Sequence, residues 1–153
     1  MTTPPLDTDV LAGLVAQRRA CLAELRNMAQ RQLELIEQGN VTGLLDLLSL
    51  KQRSLTELQR SEAALVPFRS QDPQRRRWRS PAHRAACASE AQQCEAMVRE
   101  IVSNERTCEE ALVRRRDESA ARLQHFRTAG QAKGAYAAAS RIDISQIDLF
   151  SER

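Results

Sequence analysis

Four cysteines and two histidines are the residues of this sequence best suited to bind a metal ion or act as nucleophiles. Cys87, Cys94 and Cys108 lie seven and fourteen residues apart in a segment whose pattern predicts one continuous helix. Seven helical residues rise about 10.5 Å, so these sulfurs can neither bond to one another nor share a zinc ion. A disulfide from Cys21 to this helix is conceivable, but reduced cytoplasmic thiols fit the pattern better. We therefore predict small buried cysteines, with no metal and no cofactor.

His83 and Cys87 are four residues apart, so both side chains could face a metal ion on one side of a helix. Two ligands of different kinds are weak evidence for a metal site, and we favour a surface histidine. No glycine-rich phosphate loop and no nucleophile–base set is present either, so we predict that the chain is not an enzyme. Glu62 and Glu105 interrupt apolar stripes, and we expect them to face Lys51 or an arginine across a helix interface.

A basic cluster, RRRWR at residues 75–79, combines phosphate-binding side chains with an aromatic ring that can stack on bases. No helix-turn-helix, zinc finger or known RNA motif surrounds it, and the formal net charge of the chain is only +3. The favoured interpretation is a solvated turn in which Trp78 folds back onto the end of a helical bundle. Nucleic-acid binding is the third-ranked alternative.

Helices must position these residues, because strong helix formers dominate the sequence and only five glycines and five prolines interrupt it. Apolar residues recur at steps of three and four. This pattern predicts three helices and a short helical piece, at residues 8–38, 41–66, 81–129 and 73–79 respectively. Asp7 or Thr8 can cap the first helix, Gly39 ends it, Pro67 marks the end of the second, and Gly130 closes the third.

Short turns between these helices predict an all-α fold, an antiparallel three-helix bundle or coiled-coil hairpin with a long third helix. The expected organisation is a loose N-terminus at 1–7, a helical domain at 8–130 and a flexible C-terminal tail at 131–153. No run of 18 apolar residues predicts a membrane span, and the N-terminal residues lack the features of a secretory signal. A cytoplasmic location is therefore expected.

The second predicted helix is long enough to cover the third as far as about Arg106 or Thr107. Beyond that point the apolar stripe continues at Cys108, Leu112, Leu123 and Phe126. An apolar stripe without an internal partner predicts docking of an external helix. Pairing of two copies of this chain through the same stripe is the alternative.

The predicted tail carries the only tyrosine of the chain, Tyr136, among small residues. The apolar residues Ile144, Ile147, Leu149 and Phe150 follow it. We interpret this segment as a docking peptide in which Tyr136 is the anchor and the apolar end becomes ordered on binding. Packing of the tyrosine ring back against Phe126 is the competing interpretation.

QLELIEQGNVTGLLDLLSLKQRSLTELQRSE at residues 32–62 resembles the helical hairpin of FlgN-type flagellar export chaperones. REIVSNERTCEEALVRRRDESAARLQHF resembles the long last helix of that family, and Tyr136 matches its short tyrosine-bearing tail. The resemblance covers about residues 15–136. It implies a cytoplasmic chaperone that binds helical termini of flagellar hook–filament junction proteins and delivers them to the type III export gate. A self-associating coiled-coil structural or adaptor protein is the runner-up.

Overall fold

The computed structural model describes the backbone of residues 7–151 and the side chains of residues 7–139. Within this part of the chain the protein is all-α and contains no strand. Three α-helices and one short 3-10 helix follow one another: α1 at Thr8–Gln38, α2 at Val41–Arg69, the 3-10 helix at Pro73–Arg75 and α3 at Pro81–Ser151. The predicted all-α three-helix architecture is confirmed.

The α1–α2 turn forms as its sequence predicts. The Asp7 carboxylate caps α1 by accepting a hydrogen bond from the Asp9 backbone N–H at 2.8 Å. Gly39 ends α1 in the left-handed conformation, with φ of 68°, and its N–H bonds to the Ile36 carbonyl. Asn40 then caps α2 by accepting from the Gly43 N–H at 2.9 Å. The predicted bounds of α1 are confirmed.

The second helix runs to Arg69, three residues beyond its predicted end. Pro67 lies inside the last turn, where its missing N–H removes only one hydrogen bond. Phe68 is buried in the core and anchors this turn, and the Ser70 hydroxyl donates to the Pro67 carbonyl at 3.0 Å. Side-chain burial therefore extends the helix past the residue that was expected to stop it.

The piece predicted to be helical over 73–79 is helical only at Pro73–Arg75. Arg76 adopts an extended backbone, with φ of −72° and ψ of 135°. Its guanidinium donates to the Phe68 carbonyl at 2.6 Å, and the Thr8 hydroxyl donates to the Arg77 carbonyl at 2.8 Å. These contacts to α1 and α2 stabilise the extended conformation of the segment. The prediction of a helical piece over 73–79 was therefore wrong.

The third helix continues to Ser151, so the predicted end at residue 129 and the flexible tail over 131–151 are wrong. Among the described residues only Gly39 has a positive φ, so Gly130 does not form the left-handed cap that was expected of it. A glycine inside a helix destabilises it by about 1 kcal/mol relative to alanine, which is too little to end the helix by itself. The alanines at 135 and 137–139 are the strongest helix formers and favour continuation. Residues 1–6 and 152–153 of the predicted termini lie outside the described residues.

The chain divides into two compact units, Met1–Leu112 and Val113–Arg153. The first unit contains α1, α2 and the beginning of α3. Two thiols of α3 contact carbonyls of α1 in rising order along both helices: Cys94 with Val15 at 3.9 Å and Cys108 with Ala29 at 3.6 Å. Residue numbers therefore increase in the same direction along α1 and α3, while α2 runs opposite to both.

Three clusters of buried side chains form the core of the first unit, and each contains one cysteine of α3: Leu11, Val15, Leu65, Phe68 and Cys87; Leu22, Cys94 and Met97; Ile36, Cys108 and Ala111. A cysteine is small enough to let two helix backbones approach closely, and its thiol can donate a weak bond to a backbone carbonyl. The prediction that these cysteines are small buried residues of the helix interface is confirmed.

Candidate partner-binding surfaces

Cys108 does not belong to the exposed stripe in which the sequence placed it. Its side chain is 1% exposed and packs with Ile36 and Ala111, and its thiol approaches the Ala29 carbonyl. The prediction considered only how far α2 could reach, whereas α1 covers this turn of α3. Cys108 is therefore a core residue, and its assignment to a partner-binding stripe was wrong.

The other three stripe residues are exposed. Leu112, at the end of the first unit, is 43% exposed, while Leu123 and Phe126 in the second unit are 59% and 70% exposed. Leu123 and Phe126 are three residues apart on α3, so they lie on the same side of the helix. The Phe126 ring meets the neighbouring His125 ring in a T-shaped arrangement, with centroids 6.4 Å apart.

Within residues 113–139 of the second unit, no side chain is buried. Tyr136 is 77% exposed and lies within α3 rather than in a tail. Its ring makes no described contact with Phe126, so the competing interpretation, in which the tyrosine folds back onto the helix end, is not what the structure contains. Tyr136 is therefore largely exposed to solvent.

The apolar residues Ile144, Ile147, Leu149 and Phe150 were predicted to take part in docking. Their backbone is helical up to Ser151. Their side chains lie outside those that the structure describes, so their role stays a prediction from the sequence.

A surface that the sequence analysis missed lies at the beginning of α2. Val41, Leu45 and Leu48 are 65%, 60% and 39% exposed, and their spacing of four and three places them on one face. Leu44, four residues before Leu48, faces inward instead and packs against the third core cluster. The signal was present in the run LLDLLSL, which contains more leucines than a single buried stripe can hold.

Two polar clusters cross the first unit where the sequence predicted them. Lys51 donates to the Gln32 side-chain oxygen at 3.1 Å and pairs with Glu105, so one ammonium joins all three helices. Its side chain is only 14% exposed. A buried ammonium is costly unless its donors are satisfied, and this arrangement satisfies at least two of them.

Glu62 accepts hydrogen bonds from the guanidinium groups of Arg18 and Arg69. Partial burial alone would raise the pKa of Glu62, but the two hydrogen bonds and the adjacent positive charges outweigh it and lower this pKa below its ordinary value. Arg18 also approaches Glu95 of α3 at 3.4 Å. The predicted pairing of Glu62 and Glu105 with cations across the bundle is confirmed.

The thiols do not have the features of a nucleophilic site. Cys21 lies beside a groove of about 580 Å³ between α1 and α2, and its thiol approaches Glu57 at 3.9 Å. Burial, reinforced by the carboxylates of Glu57 and Glu24, raises the pKa of Cys21. Because the thiolate is the reactive form, such a thiol is a poor nucleophile. Within residues 7–139 no cluster of three or more metal-ligating side chains occurs.

The arginine-rich turn packs as the favoured interpretation predicts. Trp78 is partly buried against the first core cluster, and its ring meets the edge of the His83 ring with centroids 5.5 Å apart. Arg79 pairs with Asp9 at 2.8 Å, and Arg75 approaches Asp72 at 3.8 Å. Part of the positive charge of the turn is therefore neutralised within the first unit.

Comparisons with family models, with curated proteins and with solved structures gave no match to this chain. In the part of the chain that the structure describes, no helix has the combination of length and apolar character that crossing a membrane requires. The resemblance to FlgN-type chaperones stays a prediction that depends on the residues quoted for it.

Proposed function

We propose that this protein is a cytoplasmic export chaperone of the FlgN type, which binds helical termini of hook–filament junction proteins. Its cargo surface would be centred on Leu123 and Phe126. The observation that supports this proposal is the exposure of these two large apolar side chains in a region where no described residue is buried. A second support is the resemblance of residues 32–62 and 99–126 to the chaperone family.

The surface suits a helical partner. Leu123 and Phe126 are neighbours on one face of α3, which matches the i, i+3 spacing of the anchors that amphipathic helices use in docking. Complete burial of a leucine or phenylalanine side chain contributes roughly 1.5–3 kcal/mol. Two such anchors give substantial affinity to a helix that must also lose conformational entropy on binding.

Isothermal titration calorimetry with purified hook–filament junction proteins tests the cargo surface. The double variant Leu123→Asp with Phe126→Asp should lose about 100-fold or more in affinity, because both anchors of a binding hot spot are removed. The matched control is Ala121→Asp with Gln124→Asp, which adds the same charge at two exposed positions three residues apart on the same turns. Circular dichroism should show that both variants keep the helicity of the parent chain.

Equal loss of cargo binding in the control variant would show a charge effect and would contradict the proposed surface. Analytical ultracentrifugation tests the alternative function, a self-associating coiled-coil adaptor. If the parent chain is a dimer at micromolar concentration and Leu123→Asp with Phe126→Asp makes it monomeric without affecting cargo binding, the surface serves self-association. Dimerisation of a parent chain that binds no junction protein would replace the chaperone function with that of a coiled-coil adaptor.

Tyr136 is proposed as the anchor for the export gate, separate from cargo. Its ring is exposed and offers a large contact area and a hydroxyl with few rotatable bonds to restrict. Truncation of such an anchor costs about 2 kcal/mol, so Tyr136→Ala should weaken binding to the purified gate component about 30-fold. Cargo affinity should be unchanged, and Tyr136→Phe should separate the contribution of the ring from that of the hydroxyl. Unaltered gate binding by Tyr136→Ala would remove this residue from the docking surface.

A further inference from the structure

A cavity of about 270 Å³ lies at the end of the first unit where the beginning of α1, the arginine-rich turn and the first turns of α3 meet. Leu11, Val15 and Cys87 form its apolar floor, and all three belong to the buried core. Trp78 forms one wall. Drug-sized ligands occupy pockets of roughly 300–1,000 Å³, so this smaller cavity suits a single bulky side chain rather than a cofactor.

The charged residues that line this cavity are Arg76 and Arg84, and no carboxylate lines it. Arg76 is held in place, because its guanidinium donates to the Phe68 carbonyl at 2.6 Å and to the Gln71 side chain at 3.3 Å. Arg84 forms no ion pair with any described residue. Two cations therefore lie beside an apolar floor, and none of the described residues that line the cavity is a carboxylate.

This arrangement differs from that of two other arginines in the same turn. Arg75 and Arg79 approach carboxylates, those of Asp72 and Asp9 respectively. Arg77 forms no ion pair with a described residue either, but it does not line the cavity, so Arg76 and Arg84 are the cations available there. An apolar pocket with a small number of convergent polar groups is the typical composition of a ligand site.

We propose that this cavity binds an acidic peptide segment in which a leucine or phenylalanine lies beside a carboxylate. The apolar side chain would enter the cavity beside Trp78 and contact the apolar floor. The neighbouring carboxylate would accept hydrogen bonds from Arg84 and from the remaining donors of Arg76, which is a charge-assisted and therefore strong interaction. This site is separate from the cargo surface on the second unit, so it goes beyond the proposed function.

The observations favour a peptide over a nucleic acid. A base needs an open aromatic face for stacking, whereas the Trp78 ring is partly buried and packs against the core and the His83 ring. A carboxylate next to an apolar side chain satisfies both the cations and the floor.

Trp78 is the only tryptophan of the chain, so its fluorescence reports directly on this cavity. The probe is a short synthetic peptide with one phenylalanine between two glutamates, titrated into the full chain. We expect a saturable change in Trp78 emission. A peptide with glutamines in place of the glutamates, and one with alanine in place of the phenylalanine, should each bind at least about tenfold more weakly, because each removes one half of the recognition.

Substitutions in the protein test the same recognition of the carboxylate and of the apolar side chain. Arg84→Gln removes one cation and should weaken the acidic peptide about tenfold, as expected for a hydrogen bond to a charged group. The matched control is Arg77→Gln, since Arg77 is an exposed arginine of the same turn that does not line the cavity. It should change affinity less than about twofold. Ala88→Leu, an exposed lining position, should fill the cavity and abolish the response.

Three outcomes would overturn the proposal. Equal binding of the neutral peptide would exclude carboxylate recognition, and equal weakening by Arg77→Gln would reduce the effect to general charge. A fluorescence response to a single-stranded oligonucleotide, with none to the acidic peptide, would assign the turn to nucleic-acid binding. Cargo binding is measured in parallel, and because the cargo surface lies elsewhere, its loss or retention leaves the interpretation of the cavity unchanged.

Discussion

The two units are composed of the same helix-forming residue types but differ in what surrounds their apolar side chains. In the first unit Leu22, Cys94 and Cys108 are at most 2% exposed. In the second unit Phe126 and Tyr136 are 70% and 77% exposed, and none of the side chains at 113–139 is buried. Amino-acid type therefore does not separate a core leucine from a surface leucine in this chain. The presence of a neighbouring helix does.

This difference determines what stabilises each unit. Most of the stability of a protein helix comes from packing of its apolar face rather than from intrinsic propensity. The first unit has such packing between α1, α2 and the beginning of α3. The described side chains of the second unit, at residues 113–139, form no buried cluster, so helix propensity contributes a larger share of its stability. We expect the first unit to unfold cooperatively and the second to open locally at much lower free energy.

The largest difference between the two units is expected when one leucine in each is replaced by alanine. Leu22→Ala should lower the free energy of unfolding of the first unit by about 2–5 kcal/mol, because it leaves a cavity between α1 and α3. Leu123→Ala, the matched change in the second unit, should alter it by no more than about 0.5 kcal/mol. Urea denaturation followed by circular dichroism gives both values. Similar losses for the two variants would mean that Leu123 is buried in the protein in solution.

A smaller effect is expected from the polar cluster around Glu62. A carboxylate whose folded pKa is lowered contributes stability above its ordinary pKa of 4.5, and this contribution is lost as the pH falls through the folded value. The parent chain should therefore lose stability in acid from this group. Glu62→Gln should be less stable by about 1 kcal/mol near neutral pH, a modest figure because the side chain is 31% exposed.

The pH dependence gives this prediction its control. The difference between the parent and Glu62→Gln should shrink as the pH falls below the folded pKa of Glu62, since the parent carboxylate then becomes neutral as well. Glu118→Gln removes an exposed carboxylate from the second unit and should leave the unfolding free energy within about 0.5 kcal/mol of the parent at each pH. A constant difference for Glu62→Gln across the whole range would contradict the assigned pKa direction.

Local sequence rules were sufficient for most of the fold. The cap at Asp7, the left-handed turn at Gly39 and the ion pair between Lys51 and Glu105 could all be predicted, because each depends on neighbouring residues or on a polar residue at a stripe position. Two expectations for Cys108 conflicted, a buried interface cysteine and a member of the exposed stripe, and the choice between them depends on how far α1 extends beside α3. The exposure of Leu48 also required the packing of three helices to be known.

The candidate sites were predictable in part. Exposure of Leu123 and Phe126 followed from the absence of a sequence partner long enough to cover them, and the structure agrees. The cavity beside Trp78 was not predicted, because its walls come from three segments that are distant in sequence. The role of Gly130 could not be predicted, since a glycine near the end of an apolar stripe is compatible both with a helix cap and with an interior position.

The smallest expected effect is that of Gly130→Ala, which decides whether Gly130 caps a helix or lies inside one. A methyl group added at this position meets no atom within 4 Å, and the described helix continues past it. Gly130→Ala should therefore stabilise the local helix by about 0.4–1 kcal/mol and slow amide hydrogen exchange of the surrounding residues about two- to fivefold. Gly13→Ala is the matched control, because Gly13 is also helical with open space around it but lies in the first unit, where global unfolding already limits exchange. If residue 130 instead adopts the left-handed conformation that the sequence suggested, alanine is strained there, and Gly130→Ala should accelerate exchange and lower the helical signal. That result would restore a break after residue 129 and would make the second unit two segments rather than one helix.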